Sequence, residues 1–116
     1  MCHVLIIEDD PLVALHLQIL LEEHGATSVA VAETEAEAIQ AASANPPAVI
    51  TSDVSLRQGS GPVAVQAIHE RHGAIPVIFI TAMPEACPSC GPHERLFGKP
   101  IDETAVAQAF RELIPA

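Results

Sequence analysis

The feature that most constrains this chain is a punctuated alternation of two patterns. Short apolar runs with no polar face occur at Val4-Leu5-Ile6-Ile7, Thr27-Ser28-Val29-Ala30-Val31, Ala48-Val49-Ile50-Thr51-Ser52 and Ile75-Pro76-Val77-Ile78-Phe79-Ile80. After each of the first three, a cap or turn signal introduces a longer segment with helical spacing. A brief β-branched run without in–out alternation is what a strand buried on both faces of a parallel sheet requires. Helical crossovers between such strands lay them parallel and cover both faces of the sheet.

The punctuation places the helices. Asp10 caps the first, with Pro11 at its opening position. This helix runs through Leu12, Leu15, Leu17, Ile19 and Leu20 to about His24, and Gly25 stops it. More than one of its faces is apolar, so part of it is expected to be left open for a partner. Thr34 and Glu37 form a capping box for the second helix, which is alanine-rich, turns Ile39 inward and fades near Asn45. Pro46-Pro47 enforce the break. The third helix spans Pro62 to His72, with Ala64, Val65 and Ile68 inward, and Gly73 ends it. Arg95-Leu96-Phe97-Gly98 reads as a fifth strand. Asp102 caps a last helix carrying Val106, Phe110, Leu113 and Ile114 at helical spacing. Between the fourth and fifth strands stand Pro84, Pro88, Gly91 and Pro92, so the helix that should cross there is expected to be degenerate.

At 116 residues the chain is read as one domain over 1–116. No segment approaches the roughly 20 apolar residues of a membrane span. Met1-Cys2-His3 leads directly into a strand without a basic region, so a signal peptide is not expected and a cytoplasmic location is the default. The net charge of −10 argues against direct nucleic-acid binding, which needs a basic patch. A protein partner or a small ligand is the expected counterpart. Three cysteines do not indicate a disulfide framework. Cys87, Cys90 and His93 have the spacing of zinc ligands but lack a second pair, and ordinary loop residues are the favoured reading. Gly59-Ser60-Gly61 is not a phosphate-binding loop, because no Gly-Lys-Ser/Thr follows; it reads as a flexible turn.

The chemistry collects at the carboxyl ends of the strands. Strand one ends on Glu8 and Asp9, strand three on Asp53, strand four on Thr81, and strand five on Lys99, the only lysine in the chain. Open α/β sheets bind ligands at this edge, and in the order 2-1-3-4-5 strands one and three adjoin at the switch point. Three carboxylates in one cleft repel unless a cation joins them. Hard oxygen ligands in a partly open site suit Mg²⁺, which takes phosphate oxygens as further ligands. A hydroxyl and a lysine nearby would hold the remaining phosphoryl oxygens. These are the parts for transient phosphorylation of Asp53.

With these residues in place, the chain resembles the receiver domain of two-component response regulators along essentially its whole length. The marks are Glu8-Asp9-Asp10, Asp53, Thr81-Ala82 and Lys99-Pro100, each at a strand end. The resemblance implies a flavodoxin-like doubly wound sheet of five parallel strands. It implies Asp53 as phosphoacceptor, Asp9 and Asp53 as direct Mg²⁺ ligands, Glu8 acting through water, and the Ser55 carbonyl as backbone ligand. Thr81 matches the switch hydroxyl and Lys99 the phosphate-binding lysine, with Lys99-Pro100 expected to be cis. The implied partners are a sensor histidine kinase or a histidine phosphotransfer protein, and a downstream protein. Output would run through phosphorylation-dependent binding or phosphate relay, with no enzymatic activity beyond slow self-dephosphorylation. The family's switch aromatic falls on Leu96, with Phe97 beside it, so an aromatic–threonine switch of the usual form is not expected.

The same residues bear on two other classes. A haloacid-dehalogenase-type enzyme carries a second acid two residues after its nucleophile, where this chain has Ser55. A pseudo-receiver binding its partner without phosphorylation is opposed by the intact acids, Thr81 and Lys99. The reading preferred is a single-domain response regulator.

Overall fold

A computed structural model of the chain describes residues 2–82 and 93–114. In chain order the elements are β1 (His3–Ile7), α1 (Pro11–Glu23), β2 (Ser28–Ala32), α2 (Glu35–Ala44), β3 (Val49–Ser52), α3 (Gly61–His72), β4 (Val77–Thr81), β5 (Glu94–Gly98) and α4 (Glu103–Leu113). All strand pairs are parallel, in the order β2-β1-β3-β4-β5. This is the flavodoxin-like arrangement expected from the sequence. The window of the expected degenerate helix, with Cys87 and Cys90, lies outside the described residues. His93 is exposed, and its carbonyl accepts the Val77 N–H at 3.0 Å.

The apolar runs behave as their composition requires. Every residue of β3 and β4 is buried, whereas the edge strands β2 and β5 are largely half-exposed. Side chains alternate between the two faces with the strand period of two. Val4, Ile6, Val49, Ile78 and Ile80 pack under α1 and α4, against Leu17, Leu21, Val106 and Phe110. Leu5, Ile7, Ile50, Val77 and Phe79 pack under α2 and α3, against Ala38, Ala42, Ala64, Val65 and Ile68.

The predicted caps form. Asp10 accepts the Leu12 N–H at 2.9 Å, Thr34 accepts the Glu37 N–H at 3.1 Å, and Asp102 accepts the Ala105 N–H at 3.1 Å. Each satisfies one of the N–H groups left unpaired at a helix start. The inward residue of α2 differs from the expectation. Ala38 and Ala42 are fully buried, while Ile39 is only half-buried at the flank, because the helix meets the sheet along its alanines. On α1 the second apolar face is real: Leu12, Leu15 and Ile19 are 77%, 53% and 49% exposed.

Candidate functional site

Each acidic position is fixed by the sheet before any side chain is considered. The Glu8 N–H continues the β1 ladder to the Ala32 carbonyl at 2.9 Å, and the Asp53 N–H continues β3 to the Ile7 carbonyl at 2.9 Å. The two acids therefore leave neighbouring strands at the same edge. Glu8, Asp9 and Asp53 each offer a carboxylate oxygen, and these oxygens lie within 4.8 Å of one another. Lys99 reaches the same point from the end of the edge strand β5. Its Nζ donates to Glu8 Oε1 at 2.9 Å and to Asp53 Oδ2 at 3.0 Å. The Lys99 N–H is held by the Thr81 carbonyl at 2.9 Å, and the Lys99-Pro100 peptide is cis, as expected.

Electrostatics at this edge are unbalanced. Glu8 is only 2% exposed. Burial pushes its pKa up, opposed by the Lys99 hydrogen bond and the Asp10 N–H on Oε2 at 3.2 Å. For Lys99, burial pulls the pKa down, but the bonds to Glu8 and Asp53 outweigh it and the net shift is upward. Three carboxylates against one ammonium leave two formal negative charges (three minus one) in a cleft walled by protein. Such a cluster of hard oxygens fits a divalent cation, and Mg²⁺ in particular, which binds through few carboxylates and keeps positions for phosphate oxygens.

The other expected site residues fall as follows. The Ser55 N–H donates to Asp53 Oδ1 at 3.4 Å, so the residue whose carbonyl was expected as a ligand adjoins the acid. Thr81 ends β4, is 3% exposed, and stands opposite Gly98 in the β4–β5 register, one residue before Lys99. Leu96 packs with the α2/α3 cluster and Phe97 with the α1/α4 cluster. The aromatic ring of Phe97 is thus on the opposite face of the sheet from Leu96.

The turn at Gly59-Ser60-Gly61 is hydrogen-bonded to its surroundings. Ser55 and Ser60 form an antiparallel bridge, and the Gly61 N–H donates to the Val54 carbonyl at 3.0 Å. The Ser60 N–H donates to Glu35 Oε1 at 3.2 Å, and the Glu35 N–H to the Gln58 carbonyl at 3.2 Å. At Gly61 a Cβ would fall inside the carbonyl oxygen of Asp53 and the hydroxyl of Ser52, so only glycine lets α3 start this close to the acid. From the sequence Gly61 was read only as a turn and helix-start residue, and Glu35 was not singled out. Eight residues after the acid, a Gly-Pro helix start was the available sign for Gly61; nothing local marks Glu35.

Comparison with known proteins agrees with this geometry. The family model described as the response regulator receiver domain matches residues 4–111. The phyllosphere-induced regulator PhyR of Methylorubrum extorquens is 41% identical over 85 residues, covering 71% of this chain and 31% of that protein. The solution structure of the PhyR receiver domain of Erythrobacter litoralis superposes with a TM-score of 0.83 at 32% identity, covering 97% of this chain and 88% of that one. The crystal structure of the anti-anti-sigma factor PhyR from Bartonella quintana gives 0.81 at 34% identity, covering 97% of this chain and 46% of that one. The chain thus spans less than half the length of those two full regulators. Its fold, its strand-end acids and the extent of the match agree: the chain belongs to the response regulator receiver domain family.

Proposed function

We propose that the domain over residues 1–116 receives a phosphoryl group on Asp53 from a histidine of a sensor kinase or phosphotransfer protein. The observation that carries this reading is the convergence of Glu8, Asp9 and Asp53 within 4.8 Å, with the Lys99 ammonium on two of them. In the transfer, an Asp53 carboxylate oxygen forms the new O–P bond as the N–P bond to the donor imidazole breaks. The electron pair of that bond leaves with the imidazole.

Residues of this chain prepare the step. Glu8, Asp9, Asp53 and the Ser55 carbonyl would hold Mg²⁺, which when bound neutralises charge on the phosphoryl oxygens. Lys99 pairs with Asp53 at rest and would move to a phosphoryl oxygen once the carboxylate is esterified. Thr81 would supply a hydroxyl to another phosphoryl oxygen. Slow hydrolysis of the acyl phosphate returns the domain to rest.

Output through protein binding is supported by the Bartonella quintana relative, which is an anti-anti-sigma factor. An interaction within sigma-factor control is the partner class that this relative suggests, and a cytoplasmic location accords with it. Among the described residues no helix is long and apolar enough to cross a membrane. Phosphate relay to a further histidine is the other output open to the same chemistry.

The deciding experiment is intact mass after incubation with acetyl phosphate and Mg²⁺, for the wild type and Asp53→Asn. A phosphate-sized gain in the wild type alone, abolished by chelation, is expected. Absence of both the gain and Mg²⁺ binding would remove the phosphoacceptor reading and leave a binding module that works without phosphate.

A further inference from the structure

The loop after Asp53 is anchored to a helix that carries none of the expected site residues. Glu35 is the first residue of α2, twenty-five positions before Ser60, and it holds the loop at two points. Its backbone N–H donates to the Gln58 carbonyl, and its carboxylate accepts the Ser60 N–H, both at 3.2 Å. Gly59, between them, has φ +87°, and a Cβ there would meet Glu35 Oε1 at 2.5 Å and Glu35 Cβ at 2.6 Å. The loop backbone therefore lies directly on the Glu35 side chain.

We propose that Glu35 is a positioning residue for the phosphoacceptor site, acting through the loop between β3 and α3. The inference rests on the reading of Asp53 as phosphoacceptor. The path is short. Glu35 holds Ser60, Ser60 bridges to Ser55, and the Ser55 N–H meets Asp53 Oδ1 at 3.4 Å. Ser60 also caps α3, its hydroxyl accepting the Val63 N–H at 3.2 Å, so the same residue sets the start of that helix.

A helix-dipole role would account for an acid in the first turn of α2. It would not account for a hydrogen bond to a backbone group on a different loop. A carboxylate is also the stronger acceptor for that N–H, because charge-assisted bonds exceed neutral ones. The consequence falls on the metal ligands. A loop free to shift would present Ser55 and Asp53 in a range of positions, and Mg²⁺ tolerates departures from octahedral geometry poorly.

The test measures Mg²⁺ affinity by calorimetry and, separately, the rate of mass gain with acetyl phosphate. It uses the whole chain as wild type, Glu35→Ala and Glu35→Gln, with folding checked by circular dichroism. Glu35→Ala is expected to bind Mg²⁺ about tenfold more weakly, the scale of losing a hydrogen bond behind a metal ligand. Its labelling rate should recover toward wild type at saturating Mg²⁺. Glu35→Gln keeps an oxygen for the Ser60 N–H and should restore most of the affinity. Glu35→Asp, which keeps the first-turn charge but draws the carboxylate back from the Ser60 N–H by one methylene, carries the same expectation as Glu35→Ala and serves if that variant does not fold. Unchanged Mg²⁺ affinity in folded Glu35→Ala, beside an active wild type, would overturn the positioning role alone. Equal losses in the alanine and glutamine variants would also overturn it. A wild type that neither binds Mg²⁺ nor gains mass would remove the phosphoacceptor reading and this inference together.

Discussion

The two faces of the sheet are covered in different ways. Under α1 and α4 the core is built from large side chains, with Leu17, Leu21, Val106 and Phe110 filling the space above Val4, Ile6 and Ile78. At the surface of that layer the helices are joined by exposed polar pairs, His16 to Glu103 at 3.1 Å and Arg111 to His24 at 2.7 Å. Exposed pairs of this kind contribute little stability. Under α2 and α3, α2 approaches on alanines while α3 adds Val65 and Ile68, and the loop that follows Asp53 is hydrogen-bonded into the start of α2. One face supplies buried volume; the other supplies backbone position to the site. The volume-rich face also leaves Leu12, Leu15 and Ile19 in solvent, so its apolar content exceeds what the core consumes.

If that division holds, lesions on the two faces should separate stability from chemistry. Phe110 is fully buried and contributes the largest side chain of the α1/α4 core. Phe110→Ala is expected to cost about 4 kcal/mol, from lost transfer energy plus the cavity left behind. Its surviving folded fraction should still accept phosphate on Asp53. Gly61→Ala drives a methyl into the Asp53 carbonyl and is expected to cost about 3 kcal/mol through overpacking. Here phosphate acceptance should fall in the folded fraction too, since the residue displaced is the proposed acceptor itself. Urea denaturation followed by circular dichroism measures the first quantity, because the chain has no Trp or Tyr to report by fluorescence. Intact mass measures the second. Equal loss of phosphate acceptance in both variants would erase the distinction between the faces.

Lys99 belongs to neither layer and ties β5 to the acids of β1 and β3. Lys99→Met takes away the ammonium that counters the burial-driven rise of the Glu8 pKa. The Glu8 pKa in the folded state should then climb further above its unfolded value. An acid in that condition binds more protons when folded, so stability falls as pH rises through the interval between the two pKa values. With chelator present, the variant is expected to lose about 2 kcal/mol at neutral pH, the scale of a buried charged group left unpaired. The loss should shrink as the pH is lowered toward the unfolded value of Glu8. A cost that did not change with pH would mean that Glu8 does not carry it.

What was legible in the sequence is what local pattern encodes. The β-branched runs gave the strands because parallel strands buried on both faces admit little else. Asp10, Thr34 and Asp102 announced their helices because a cap is a contact within one turn. The strand-end residues Glu8, Asp9, Asp53 and Lys99 could be gathered because strand order alone brings those ends together. Glu35 and Gly61 were not legible in the same way. Their significance arises where the start of α2 meets the loop after β3, and no periodicity records that meeting. Ile39 was misplaced for a related reason. A larger side chain is favoured inward by hydrophobicity alone, but the close approach of α2 to the sheet admits only Ala38 and Ala42.

The smallest expected effect has the opposite sign. Thr51 lies in the middle of β3, flanked in register by Ile6 and Ile78, and it shares the α1/α4 face with Val49. It is fully buried, and among the described residues its hydroxyl finds no hydrogen-bond partner. The hydroxyl therefore bears a desolvation cost without a compensating bond, on the face that contributes volume and not position. Thr51→Val keeps the branched shape and removes the polar atom. It is expected to stabilise the protein by about 1 kcal/mol, since replacing an unpaired buried polar group by an apolar isostere recovers part of that cost. Phosphate acceptance should be unchanged. A stability loss in place of the gain would mean that the hydroxyl is bonded in solution, and that the α1/α4 face holds a polar contact of its own next to the site strand.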